Sequence, residues 1–394
     1  MSFDPADLAF IADPYPAFAA LRAAGPVHHH PGLGLAVTTT HAAADAVLRS
    51  RSLGRLWTDV APVAAFAGFN LLHRNSLLES EPPRHTRLRR LIAAAFGRGH
   101  TERLRPRVEA LAAGMVDELA ARVRDGEPAD LLALLAAPLP VQVIGELLGV
   151  PEADRGLLQP WSNAIVKMYE YGLPADLAAA AERAAAEFTA YLRALVADRR
   201  RAPGDDLVSD LVAVRDGTDK LTEDELVATA VLLLMAGHEA TVNVVGNGVH
   251  ALLTHRDQWD GLVADPALLP TAVEELIRYD APLQLFERTA TAPVTIAGHH
   301  LAPGDKVAAL LGAAARDPEV FPDPDRLDIT RTPNPHLGFG AGIHYCVGAP
   351  LARVEVSAAL KALTATLPTL ALAGTPTRRP EFVIRGWQSL PVTA

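Results

Sequence analysis

The chain of 394 residues is 49% hydrophobic and 21% charged, with 46 acidic against 36 basic side chains and one cysteine. Its net charge of −10 speaks against general nucleic-acid binding, which needs a basic face to neutralise phosphates, although local basic patches stay open. A lone cysteine, Cys346, excludes an intrachain disulfide framework and zinc sites built on several thiolates, and it fits a reducing cytosol.

The opening segment, Met1-Ser2-Phe3-Asp4-Pro5, lacks a basic stretch followed by an apolar one, so no leader peptide is read there. His28-His29-His30 reads as a solvated loop. Alanine- and leucine-rich periodicity predicts helices over Asp13–Ala24, His41–Arg49, His85–Phe96, Arg103–Arg124, Pro140–Leu148, Leu177–Arg201, Thr222–His255, Leu269–Tyr279 and Leu351–Leu363. Strand signals are short: Leu33–Thr39, Val294–Ile296, Lys306–Leu310 and Phe382–Ile384. Apolar runs such as Val227–Ala236 fall short of the roughly 20 residues of a membrane helix. The expectation is a soluble, cytoplasmic, mainly α protein with small β-sheet patches. The 31 prolines cluster between helices, as in Glu81-Pro82-Pro83, where they end helices and stiffen turns. Neither a linker nor a repeat interrupts the pattern, so a single domain over residues 1–394 is expected.

Several short patterns stand out in chain order. His85 and Arg89 lie one helical turn apart, within a run that also holds Arg84, Arg87 and Arg90. Thr222-Glu223-Asp224-Glu225 is a capping box opening a long apolar helix. That helix is interrupted by Ala236-Gly237-His238-Glu239-Ala240-Thr241. Gly237 costs about 1 kcal/mol relative to alanine there, so something must benefit from its missing side chain. His238-Glu239 suggests a zinc protease, but Val242 stands where the second histidine belongs. Glu275 and Arg278 share a helix face.

The segment Phe339-Gly340-Ala341-Gly342-Ile343-His344-Tyr345-Cys346-Val347-Gly348 runs directly into the last predicted helix. Its glycines let the backbone approach a flat ligand, and the helix start favours thiolate over thiol, which makes Cys346 a metal ligand or a nucleophile. Phe339, Gly342, His344, Cys346 and Gly348 resemble the haem-binding loop of the cytochrome P450 superfamily. The resemblance implies one large P450 fold with haem b buried between the distal helix and the cysteine loop. Cys346 would be the axial thiolate, whose electron donation favours O–O cleavage. Phe339 would pack beside the sulfur, and His344, His85, Arg89 and Arg288 would meet the haem propionates. Glu275, Arg278 and Arg326 would form the structural network that holds this loop. The segment from Gly237 to Thr241 would cross the distal face, with Glu239 delivering protons. The family usually places threonine directly after that acid. Here Ala240 stands there and Thr241 follows, turned by about 100°.

The resemblance further implies a substrate pocket drawn from Leu71, Leu72, Leu77, Leu78, Leu233, Ala236, Leu283, Leu285, Phe286 and Trp387, with Gln284 setting orientation. It implies a monooxygenase that hydroxylates or epoxidises an apolar natural product, terpenoid- or steroid-like molecule or polyketide. The reaction would use O₂ and electrons from ferredoxin and ferredoxin reductase. The arginines around His85 offer a docking patch for an acidic donor. Ala240 keeps a peroxide-driven or oxygen-independent haem enzyme open as an alternative, beside a non-catalytic haem-binding sensor.

Overall fold

The computed structural model describes residues 3–96, 99–124, 126–214 and 219–394; Met1 and Ser2 of the segment read for a leader lie outside the described residues. Helices dominate, and their ends follow local chemistry. His41–Arg49 opens on Thr40, whose hydroxyl accepts the Ala43 amide at 3.3 Å. The longest helix, Glu223–Thr254, closes the expected capping box: the Glu225 amide donates to Thr222 Oγ1 at 3.2 Å, and the Thr222 amide donates to Glu225 Oε2 at 3.1 Å. By length and composition it is the one helix among the described residues that qualifies to cross a membrane, yet 72% of its apolar window is buried inside the protein.

A five-stranded mixed sheet carries much of the β structure. Its strands are β1 (Val27–His30), β2 (Leu35–Thr38), β3 (Leu53–Gly54), β4 (Leu285–Ala290) and β5 (Lys306–Leu310), arranged β1-β2-β5-β4-β3. β2 and β5 run parallel, and the other pairs are antiparallel. The histidine run is therefore a strand and not a solvated loop. Its side chains alternate, so that His29 is exposed while His30 is buried, with Nε2 2.8 Å from the Phe3 carbonyl oxygen. Gly34 at φ 67° completes the turn into β2. The strand expected over Phe382–Ile384 reduces to one bridge, Ile384 to Leu283, and the pairing strands lie beyond it at Trp387–Ser389 and Pro391–Thr393.

The described residues fall into two compact units. One comprises Met1–Gly54, Val108–Leu139 and Ala240–Ala394 and contains the mixed sheet, the helix Leu269–Tyr279 and the helix Ala349–Thr366. The other comprises Arg55–Arg107 and Pro140–Glu239 and is helical, with Ala175–Arg201 as its longest complete helix.

Candidate active site

The cysteine loop is shaped by two left-handed glycines, Gly340 at φ 69° and Gly342 at φ 68°. At Gly342 a Cβ would also stand 2.6 Å from the Leu48 carbonyl oxygen, so no other residue fits without displacing backbone. A short 3₁₀ turn, Gly342–His344, leads to Cys346, whose amide donates to the Phe339 carbonyl at 2.9 Å. Cys346 is half-buried, and two residues later Gly348 caps the helix Ala349–Thr366, with Pro350 in its first turn. The amide ends of that helix begin beside the sulfur, which favours negative charge there.

Behind the loop, Glu275 and Arg278 are both fully buried on the helix Leu269–Tyr279 and pair at 2.8 Å through both carboxylate oxygens. The second guanidinium on Glu275 belongs to Arg331, whose Nε donates to Oε2 at 3.1 Å. This corrects the expectation for Arg326. The Arg326 side chain is exposed, and its carbonyl oxygen is what joins the knot, accepting from Arg278 at 3.3 Å and Arg331 at 3.2 Å. Asn334 and the Asp328 amide donate to the same carboxylate, at 3.1 and 2.9 Å. The proline-rich stretch thus folds around a buried ion cluster with most of its polar atoms matched.

The long helix carries an unusual stripe. Ala236 is exposed and Leu233, Gly237 and Ala240 are half-buried, although all four lie in the interior of a helix that is otherwise mostly core. Positions three, four and seven apart share one face, so these four residues form one open strip that ends at Ala240. The nearest neighbour of a Cβ at Gly237 would be the Ile144 side chain, at 3.5 Å, which is ordinary contact. The chain's own packing therefore does not demand glycine at this position. Thr241 is turned off the strip and buried, and its hydroxyl bonds to the Glu355 carboxyl on the helix Ala349–Thr366. Burial raises the Glu355 pKa to about 8, against that one hydrogen bond. Glu239 is buried beside the strip, and His238 is fully buried with Nδ1 3.4 Å from Ser162 Oγ. Among the described residues no group of three or more His, Cys, Asp or Glu side chains is placed to hold a metal ion.

The Cytochrome P450 family model matches residues 263–366. The cytochrome P450 monooxygenase PikC of Streptomyces venezuelae is 44% identical over 391 residues, covering 97% of this chain and 91% of its own. The chain belongs to the cytochrome P450 family. It is also 45% identical over 325 residues to the mycinamicin IV hydroxylase/epoxidase of Micromonospora griseorubida, covering 81% and 80% of the two chains. The crystal structure of P450BioI in complex with hexadec-9Z-enoic acid ligated acyl carrier protein superposes with a TM-score of 0.92 at 34% identity, covering 98% of both chains.

As a P450 the protein is a haem-thiolate monooxygenase that uses haem b, O₂ and a small-molecule substrate. The residues present fit that cofactor: one half-buried cysteine at a helix start, with a glycine-rich loop beside it that lets the backbone approach a flat group. Arg288 is buried on β4 with Nη1 donating to the Glu287 carbonyl at 2.8 Å, and His344 is half-buried in the cysteine loop. His85 is buried and Arg89 half-buried on the helix Arg84–Phe96.

The arginines around His85 do not form an open positive patch. Arg84 and Arg87 both bond Glu225, Arg84 at 3.5 Å, and Arg90 stands 3.7 Å from Asp219. Despite its burial, Glu225 is held below the usual carboxylate range by the Arg87 hydrogen bond and the Thr222 amide. Among the pocket expectations, Leu71, Leu78, Leu233, Leu283 and Phe286 are half-buried and Ala236 is exposed, whereas Leu72, Leu77 and Leu285 are buried. Trp387 belongs to the core instead. Its ring lies 4.3 Å from His250 and under the Arg378 guanidinium at 3.5 Å. Gln284 is fully buried, with Nε2 donating to Ala281 at 2.7 Å and its backbone bonded to Val383 and Leu311, so it organises the strand start rather than facing a ligand. Sequence reasoning missed Ile384, bridged to Leu283, together with Arg331 and Glu355. The lone acid in Val354-Glu355-Val356 was the available signal for the last.

Proposed function

We propose that this P450 hydroxylates or epoxidises a bulky apolar natural product, of polyketide, terpenoid or steroid-like type, with electrons from a ferredoxin and its reductase in the cytoplasm. The observation that carries this reading is the apolar strip of Leu233, Ala236, Gly237 and Ala240, left open in a core helix. A relative named for mycinamicin IV supports substrates of that kind. The reading includes one catalytic domain over residues 1–394, in keeping with relatives that align along 97% of the chain.

In this reading haem b supplies the iron at which O₂ is reduced and the substrate oxidised. Cys346 holds the iron as thiolate, and the loop's left-handed glycines keep the sulfur at the start of the following helix. Arg288, His344, His85 and Arg89 bind the two propionates as charge-matched donors. Leu283, Ile384 and Phe286 exclude water from one part of the substrate site, and Leu78, Leu233 and Ala236 contribute apolar surface to the rest. Protons are held at the Glu355 carboxyl, largely protonated at neutral pH, and pass through the Thr241 hydroxyl that bonds to it. Glu239, on the helix Glu223–Thr254, is another buried acid. The test is the ferrous-CO spectrum of purified protein followed by a screen of apolar compounds for a Soret shift. A thiolate-type band lost in Cys346→Ala, with shifts from macrolactones or sterols, is the expected result. A wild-type protein without that band sinks the reading.

Ala240 favours a second reading, a peroxide-driven oxidase, because it puts only a methyl group on the open strip while the Thr241 hydroxyl is engaged elsewhere. Turnover with hydrogen peroxide that matches turnover with ferredoxin and reductase would select it.

A further inference from the structure

Two consecutive acids on the helix Leu269–Tyr279 have different tasks. Glu275 closes the buried knot behind the loop, while its neighbour Glu274 reaches the two chain segments on either side of Cys346. On the upstream side, His336 Nε2 donates to Glu274 Oε2 at 3.0 Å. The Gly338 amide donates to His336 Nδ1 at 3.1 Å, which places the ring proton of the neutral imidazole on Nε2. On the downstream side, Arg353 in the helix after the cysteine donates from Nε at 2.5 Å and from Nη2 at 2.9 Å. The same guanidinium lies 4.4 Å above the centre of the Phe339 ring. Phe339 is the residue whose carbonyl accepts the Cys346 amide. A cation thus stacks on the residue that anchors the sulfur, and Glu274 is the carboxylate that balances it. Although burial opposes its charge, the hydrogen bonds from Arg353 and His336 push Glu274 down to about 2, so the balancing charge is present at every working pH.

We propose that Glu274 is a positioning residue for the axial thiolate: it clamps His336 and Arg353 together around Phe339 and neutralises the guanidinium that would otherwise draw electron density from Cys346. The inference rests on the haem-thiolate reading above. Thiolate donation sets the iron's potential, and uncompensated charge near the ligand shifts it. Without Glu274 the potential rises; without Arg353 it falls.

The test is the reduction potential of the purified holoprotein, recorded with the ferrous-CO spectrum. Glu274→Gln, which keeps shape and loses charge, is expected to move the potential in the positive direction, and Arg353→Met in the negative direction. The double variant should return close to wild type, and Glu274→Asp should restore most of the Gln shift. Singles that move the same way, or that leave the potential in place, overturn the proposal, as does a double variant no closer to wild type than the singles. If Glu274→Gln fails to retain haem, Arg353→Met decides alone, because an unchanged or positive shift contradicts it. A role confined to packing would lose haem or broaden the band without opposite signs. Absence of a thiolate band in the wild type would instead sink the functional reading.

Discussion

Glu275 and Glu355 are both buried carboxylates in the same compact unit, at 0% and 2% exposure, and their surroundings could hardly differ more. Five donors converge on Glu275, from Arg278, Arg331, Asn334 and the Asp328 amide. Glu355 meets the hydroxyl of Thr241 and an apolar helix, and its pKa rises to about 8. Burial alone therefore does not decide what an acid does. The number and charge of its donors do, and they divide one acid that fixes the loop's scaffold from another able to exchange a proton near neutral pH.

The largest separation between the two comes from removing charge at each. Glu275→Gln leaves two buried guanidiniums without a counter-charge, which is expected to destabilise the holoprotein by about 3–5 kcal/mol in urea titration. Arg331→Ala should follow at roughly 3 kcal/mol, since its guanidinium is nearly as enclosed. Arg326→Ala should stay within about 0.5 kcal/mol, because only its carbonyl is used. Equal losses for the two arginines would contradict this assignment.

That pair also shows where sequence reading stopped. Helical spacing put Glu275 and Arg278 on one face, and glycines with a helix start marked Cys346 as metal ligand or nucleophile; their roles in a buried knot and as haem ligand became legible only through the resemblance to the P450 family. The arginine completing the knot lies in a proline-rich coil with no period, where two arginines five residues apart are equivalent until the backbone decides which one points inward. The histidine run failed for a related reason. Its polarity suggested solvent, whereas its pairing with Leu35–Thr38 across a turn is a non-local fact. Trp387 was assigned to the pocket by position, but the guanidinium of Arg378, distant in chain from His250, closes it into the core.

At Glu355 the expected effect is a change in pH dependence rather than a loss. In the unfolded chain a glutamate releases its proton near pH 4.3, whereas in the fold Glu355 retains it to about 8. Between those values the folded state binds more protons, so this group's contribution is full at low pH and declines as pH rises toward 8. The slope is at most roughly 1.4 kcal/mol per pH unit. Glu355→Gln removes the decline. The variant should match wild type near pH 4, overtake it through neutrality and hold a constant margin above pH 8. Parallel stability curves across that range would show that the carboxyl does not titrate there. In turnover, the same variant should lose rate at neutral pH if Glu355 supplies protons.

The smallest effect, and the finest discrimination, is at Thr241. Its hydroxyl favours the ionised form of Glu355, so Thr241→Val removes a bond that matters only once the carboxyl has lost its proton. The Glu355 pKa should then rise by roughly one unit, the worth of a single hydrogen bond to a charged acceptor. At pH 6 the substitution should cost little, since valine keeps the threonine shape and the acid is protonated in both proteins. At pH 9 the difference should grow to about 1 kcal/mol, because wild-type Glu355 is ionised and bonded while the variant's lacks its donor. A pH-independent cost would assign Thr241 to packing alone and shift proton delivery to Glu239, buried on the helix Glu223–Thr254.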